Sequence, residues 1–474
     1  MGKRWGVFLG LFVVFLVLTE MGAEGGSLKR LISTREDLTS LALTGYSGGF
    51  AVVREGREVS LPKGEILLLL QGVPERIEPE SVEVSVEGGE VLEQTFSTNL
   101  ITPDNLMKAY VGKKILVAVK DPETGKETVK EVKLLSVAGG PVFETDEGIA
   151  TTLKGRVIFP RLPEGLVPEP TLSVSVRVPE SGKKKVNLLY TTGGFSWKAT
   201  YTLLYDRDKG RGSFGGWVTL KNETGADLEG ADVLLVAGEV GKVRGPSPLR
   251  AKGVYTTLAA ERAGAGVSEQ PLFEYHSYSL PERVTVRKGE SVQVRFAQSL
   301  PVEIAEEFLL EGGNRFFLGS QHGTTENLPV RVFLLFKNEK GKGPGIPLPA
   351  GTVKVYAPGG RAPLFLGEDS LPHTPEGADV RLALGNSFDV QASRRQVSFE
   401  RVGREIYESS HEVVVKNRKR RDVRVIVRET LPGEWRILSS SHPYTVEDAS
   451  HARFSLTVPG KGEVTLTYRV RVRQ

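Results

Sequence analysis

The chain has 474 residues, a formal net charge of +4, 39% hydrophobic and 25% charged residues. That composition describes an ordinary globular protein of about two to four domains, and so small a net charge makes no global demand for nucleic acid or an anionic membrane. There is no cysteine, which excludes disulfides, thiol catalysis, thiolate metal sites and an acylated cysteine behind a leader.

The 54 Gly and 27 Pro, among many short Val/Leu/Thr-rich runs, point to β-structure with many turns. In chain order, Lys3 and Arg4 precede the apolar run WGVFLGLFVVFLVL, residues 5–18. At about fourteen residues it is short of the about twenty that a bilayer span needs, so it reads as a secretory signal rather than an anchor. Ala23 suits the residue before the cut, giving a signal peptide over 1–23. Membrane contact is then expected only through this segment, if it is left uncleaved. A β-module over 28–98 follows, with FAVVREGREVSL (50–61) as strand, turn, strand and SVEVSVEGGEVLEQTF (81–96) alternating with period two.

Residues 99–160 read as a small barrel-like module of SH3 or Sm type. In TPDNLMKAYVG, Thr102 can cap a helix, Pro103 suits its first position and Gly112 ends it. Four or five short strands come next, the first hairpin turned by Asp121-Pro122 and Gly125. After the Pro-rich connector RLPEGLVPEP (161–170), residues 161–387 form a β-sandwich-like domain with a long mobile loop over 241–275, rich in Gly, Ala, Ser and Pro. Residues 388–474 alternate strands and turns and are expected to form an Ig-like sandwich. The fold class is mainly β and multidomain.

Motifs with chemical potential are few. GYSGG (45–49) fits the Gly-x-Ser-x-Gly pattern, but a nucleophile elbow needs a helix after it, and here the strand FAVVRE follows; Ser47 is a turn residue. DRDKG (206–210) lacks the closing Glu of a calcium loop and reads as a hairpin turn. His442 and His451 flank Glu447 and Asp448 without a ligand spacing that fixes them together. The basic run KNRKRR (416–421) has no aromatic interleaving and reads as an exposed hairpin tip.

The stretch GEDSLPHTPEGADV (367–380) gathers Glu368, Asp369, His373 and Asp379 in one Pro-stiffened loop. Such a loop can hold a metal or a sugar, although a stiff polar connector is the plainer reading. Trp197, Trp217 and Trp435 can form a carbohydrate platform, but in strand context they are more often packing residues. The candidate binding residues are therefore Glu368, Asp369, His373, Asp379 and Trp197; no catalytic residue, metal ligand or cofactor is expected.

Three Lys-Asn pairs end apolar runs, in GWVTLKNETG, FLLFKNEKGKG and VVVKNRKRRD. Asn222-Glu223-Thr224 fits a glycosylation sequon. The stronger reading is that each Asn stops a strand and opens a turn at corresponding corners of related β-units.

LLYTTGGFSWKATYTLLYD, GWVTLKNETGADLEGADVLLVAGEV, YHSYSLPERVTVRKGESVQV, KNEKGKGPGIPLPAGTVKVY, LGEDSLPHTP and ALGNSFDV occur in that order. Together they resemble the uncharacterised bacterial family catalogued as domain of unknown function 4139, in the branch without a coiled coil. The resemblance runs from about residue 42 to the end, and it implies an exported or envelope-associated protein without an established activity. The expected role is non-catalytic: binding or scaffolding in the periplasm or cell envelope, with an envelope protein or polysaccharide as partner. The alternative is a metal-assisted hydrolase centred on 367–380. Nucleic-acid binding through the small barrel and the basic run conflicts with export.

Overall fold

A computed structural model describes residues 28–120, 125–238, 268–272, 275–359 and 361–474. The expected signal peptide and the Asp121-Pro122 turn lie outside the described residues. So does most of the expected loop over 241–275.

The chain is mainly β and multidomain: among the described residues the strands fall into six sheets, and the one α-helix is Pro103–Ala109. That helix starts where its sequence says. The Thr102 hydroxyl accepts from Asn105 N at 3.1 Å, Pro103 opens the first turn and Gly112 takes φ +80° beyond the end. Five antiparallel strands follow it, in the order Gly148–Ala150, Val142–Thr145, Glu127–Ser136, Lys114–Lys120, Arg156–Ile158. They close on their own small core of Tyr110, Ile115, Val117, Val132, Leu134 and Phe143.

On either side of this module the strands interleave. Phe50–Leu61 pairs along its full length with Gly182–Gly193, and Leu38–Tyr46 runs parallel to Leu228–Ala237, all within an eight-stranded sheet. Gly64–Gln71 and Glu90–Ser97 flank Thr171–Val178 in a four-stranded one. Residues 28–98 thus share two sheets with strands that come after residue 161. Local alternation marks each strand but cannot announce a partner more than 100 residues away. Ser268–Leu272, inside the stretch expected to be loop, is a strand paired with Tyr275–Ser279.

A five-stranded middle sheet follows, ordered Ser291–Glu303, Arg211–Asn222, Phe195–Asp206, Gly351–Ala357, Leu364–Leu371. Its inner side chains, such as Tyr201, Leu203, Phe214, Val353 and Val355, join one large core with those of the two preceding sheets.

The C-terminal sandwich has a six-stranded sheet facing a five-stranded one. It draws on more chain than 388–474. Ala305–Gly312, Val330–Lys337 and Asp379–Asn386 complete the six-stranded sheet, the first running parallel to Val423–Thr430. The physical reason is burial: Phe308, Leu310 and Val330 fill the same core as Val413, Val425, Val427, Phe454 and Leu466. One strand of that sheet, Val330–Lys337, serves both cores, since Leu334 and Phe336 pack into the large one.

All three Lys-Asn corners share one construction. Asn222 is fully buried; its amide donates to Ala226 O at 2.8 Å and Val286 O at 2.7 Å, while its oxygen accepts from Thr224 N at 3.1 Å. Asn338 donates to Ile346 O at 2.7 Å and Pro375 O at 2.9 Å and accepts from Gly345 N at 3.0 Å. Asn417 donates to Arg421 O at 2.7 Å and Pro459 O at 3.0 Å and accepts from Lys419 N at 3.0 Å. Each side chain therefore ties the turn that follows its own strand to a later, adjoining segment. With both amide hydrogens engaged and no exposed surface, Asn222 is a structural peg and its sequon is closed to a glycan.

Candidate functional site

The polar residues of 367–380 do not converge. Glu368 is exposed on the strand Leu364–Leu371, directly opposite Lys354. Asp369 turns its carboxylate to backbone: Oδ1 accepts from Ser370 N at 2.8 Å and Oδ2 from Ala383 N at 2.7 Å. The second bond joins the last strand of the middle sheet to the end strand of the six-stranded sheet, supplying an acceptor to an edge N–H. His373 is exposed, and its Nδ1 accepts from Ala350 N at 3.2 Å. Asp379 begins the next strand, in another sheet. Among the described residues no group of three or more His, Asp and Glu side chains is arranged to hold a metal ion. Asp369 and His373, the pair on which a hydrolase would depend, each bind the main chain instead.

Trp197 lies in the core at 7% exposure, donating Nε1–H to Gly45 O at 3.1 Å. Trp435 donates to Ala449 O at 2.7 Å. Trp217 differs: it stands on the outward face of the middle sheet.

His451 and Asp448 pair at 2.8 Å, while Glu447 pairs with Arg428 at 2.9 Å instead of joining them. The basic run is a hairpin connection whose members reach across a seam. Arg421 binds Glu306, and Lys419 lies 3.6 Å from Asp389. Burial alone would raise the Glu306 carboxyl. Hydrogen bonds from Arg207 and Tyr205, with the nearby Arg421 charge, outweigh it and hold that group below the ordinary carboxylate range.

One recess is a feature that sequence reading did not find. It lies on the outward face of the six-stranded sheet, with a volume of about 680 Å³. Its floor is apolar, with Leu309, Leu335 and Ile426 lining it, and Leu309 and Ile426 pack with Phe333 in a cluster apart from both main cores. Its rim is charged and largely internally paired: Arg381 and Arg453 both meet Glu307 at 3.0 Å, and Arg428 meets Glu447. The Arg381 guanidinium carbon lies over Phe333, 3.4 Å from the ring centroid. Of the candidate residues only Asp379 reaches this recess. The lining comes from several strands spread over more than a hundred residues of sequence. The one signal that could have found it is VRVFLLFK, where a strand apolar on both sides demands cover on both faces.

A family model described as Domain of unknown function (DUF4139) matches residues 186–435. No curated protein matches the chain. The matched segment spans the whole middle sheet and ends inside the C-terminal sandwich.

Proposed function

We propose, from the premise that the chain belongs to the family described as Domain of unknown function (DUF4139), that it is an exported protein of the cell envelope with a non-catalytic role. It binds or scaffolds, taking an envelope protein or polysaccharide as its partner. The observation that carries this reading is the recess of about 680 Å³ on the six-stranded sheet. An apolar floor under a rim of already paired charges suits contact with a ligand, whereas catalysis calls for a group with an unusual protonation state facing the cavity. Export is supported by Lys3, Arg4 and the apolar run over 5–18, and it agrees with a chain that needs no thiol.

Crosslinking in intact cells followed by pull-down tests the role. A specific envelope protein or glycan should be recovered with the native chain and lost with Arg381→Glu, which puts a second acid beside Glu307 and removes the guanidinium over Phe333. Recovery of no partner, or the same recovery from the variant, rejects the recess as the binding surface. Cell fractionation with N-terminal sequencing of the mature chain tests export, with cleavage expected after Ala23.

A further inference from the structure

Among the described residues nothing covers the middle of the outward face of the middle sheet, and strand register fixes its side chains in rows. One row crosses all five strands, with Arg295, Trp217, Thr200, Thr352 and Ser370 standing opposite one another in turn. Trp217 is 36% exposed, and the Arg295 guanidinium lies 4.8 Å from its ring centroid. Lys198 and Lys354 project from the same face, one on each of two adjacent strands. At the opposite corner Tyr356 faces Phe365, ring centroids 5.5 Å apart, and Phe365 is 57% exposed. With strands about 4.8 Å apart and a rise of about 3.3 Å per residue, Trp217 and Phe365 are about 20 Å apart, three strands over and four residues along. Between them lie Thr200, Thr202 and Thr352.

The middle of this face carries mainly positive charge. Among the described residues Arg295, Lys198 and Lys354 have no carboxylate within 4.0 Å; the acids on the face are Glu368, opposite Lys354, and, at one end, Asp206 and Glu303, which lie against Lys209 and Arg211. Elsewhere on the sheets exposed cations are commonly paired, as Arg177 is with Glu65 and Glu90 or Lys183 with Glu58.

We propose that this face binds an anionic polysaccharide, laid obliquely across the strands from Trp217 to Phe365. Sugar rings stack on the two aromatic positions, threonine hydroxyls meet sugar hydroxyls between them, and acidic groups on the sugars meet the three free cations. A single-stranded nucleic acid fits less well, because aromatics about 20 Å apart cannot stack successive bases. The site is separate from the recess of the proposed function and goes beyond that reading by naming a ligand class.

The test is affinity electrophoresis of the full chain in gels containing polygalacturonate, its fully methyl-esterified form, or an oligothymidylate. Polygalacturonate should retard the native protein and the ester should not. Trp217→Ala should weaken retardation about tenfold, and Lys198→Glu and Lys354→Glu about threefold or more each, with a weaker salt dependence. The two lysines are exposed, so their variants keep the fold and stand as tests even if Trp217→Ala does not. Arg381→Glu, at the recess, should bind polygalacturonate as the native chain does. No retardation by polygalacturonate, equal retardation by the ester, or indifference to both lysine variants overturns the proposal. Tighter binding of oligothymidylate reassigns the face to nucleic acid. A failed envelope pull-down with intact polygalacturonate binding would reject the recess alone, and the converse would reject this face alone.

Discussion

Among the described residues two ion pairs are fully buried, one in each of the two main cores, and they are built differently. In the large core Arg57 and Glu55 lie two residues apart on one strand, both essentially without exposure. The guanidinium donates to Glu55 at 2.9 Å and to the carbonyls of Ser33 and Gln71 at 3.1 and 3.0 Å, and the Tyr190 hydroxyl donates to the other Glu55 oxygen. In the C-terminal sandwich Arg394 reaches from the five-stranded sheet to Glu429 on the six-stranded one. Gly312 leaves the room this requires, since a side chain there would collide with the Glu429 carboxylate. Around that pair Arg394 Nε and Nη1, His411 Nδ1 and the Tyr468 hydroxyl have no hydrogen-bond partner among the described residues. The first pair knits together loops and strands that otherwise have polar groups to satisfy; the second mainly crosses between sheets. A buried charge holds a fold in proportion to the other groups it satisfies.

The sharpest break of this comparison is Arg57→Met. It leaves Glu55 charged without its cation and strips the Ser33, Thr34 and Gln71 carbonyls of their donor, so unfolding free energy should fall by about 4 kcal/mol in denaturant titration. A loss below about 1 kcal/mol would mean that the network is ornamental. Asn222→Ala and Asn417→Ala probe one device in both halves. Each should cost about 3 kcal/mol through orphaned buried carbonyls, and neither should alter ligand binding. A large cost at one corner alone would undo the likeness between them.

The double replacement Arg394→Met with Glu429→Leu should be nearly neutral or stabilising by about 1 to 2 kcal/mol, because it removes desolvated charge and few satisfied bonds. The same exchange at Arg57 and Glu55 should destabilise. His411 supplies the most graded effect, small over any one pH unit. Burial, aided by the Arg394 charge, pushes its pKa from 6.5 down to about 3. Between those values the unfolded chain binds a proton that the folded one refuses. Its contribution is therefore complete above pH 6.5 and declines by about 1.4 kcal/mol per pH unit as pH falls toward 3. His411→Gln should flatten that part of the stability-against-pH curve.

How much of this was legible differs between strand and sheet. Alternation located SVEVSV, the helix opened at Thr102 and Pro103, and the three asparagines read as corners, because each depends on neighbours within a few residues. The parallel pairings of 42–46 with 232–236 and of 308–312 with 425–429 have no local signature, and with them went the extent of the C-terminal sandwich. The site suffered in the same way. Asp369 and His373 crowd together in sequence, but their bonds go to Ala383 and Ala350, and neither side chain is set toward a ligand. Arg295 and Trp217 meet only across a sheet, so spacing along the chain could not join them.

The asparagine corners also impose an order of events. The turns they hold arrive late: Val286 comes 64 residues after Asn222, Pro375 comes 37 after Asn338, and Pro459 comes 42 after Asn417. A chain emerging amino end first, from a ribosome or through a membrane pore, presents each peg well before its socket exists. Until that later segment appears, the corner amide stays hydrated and its strand has an unfinished end. Each unit then locks only once its last turn is out, which keeps the partly emerged chain threadable and makes closure of each corner a timing mark that pulsed hydrogen exchange can read.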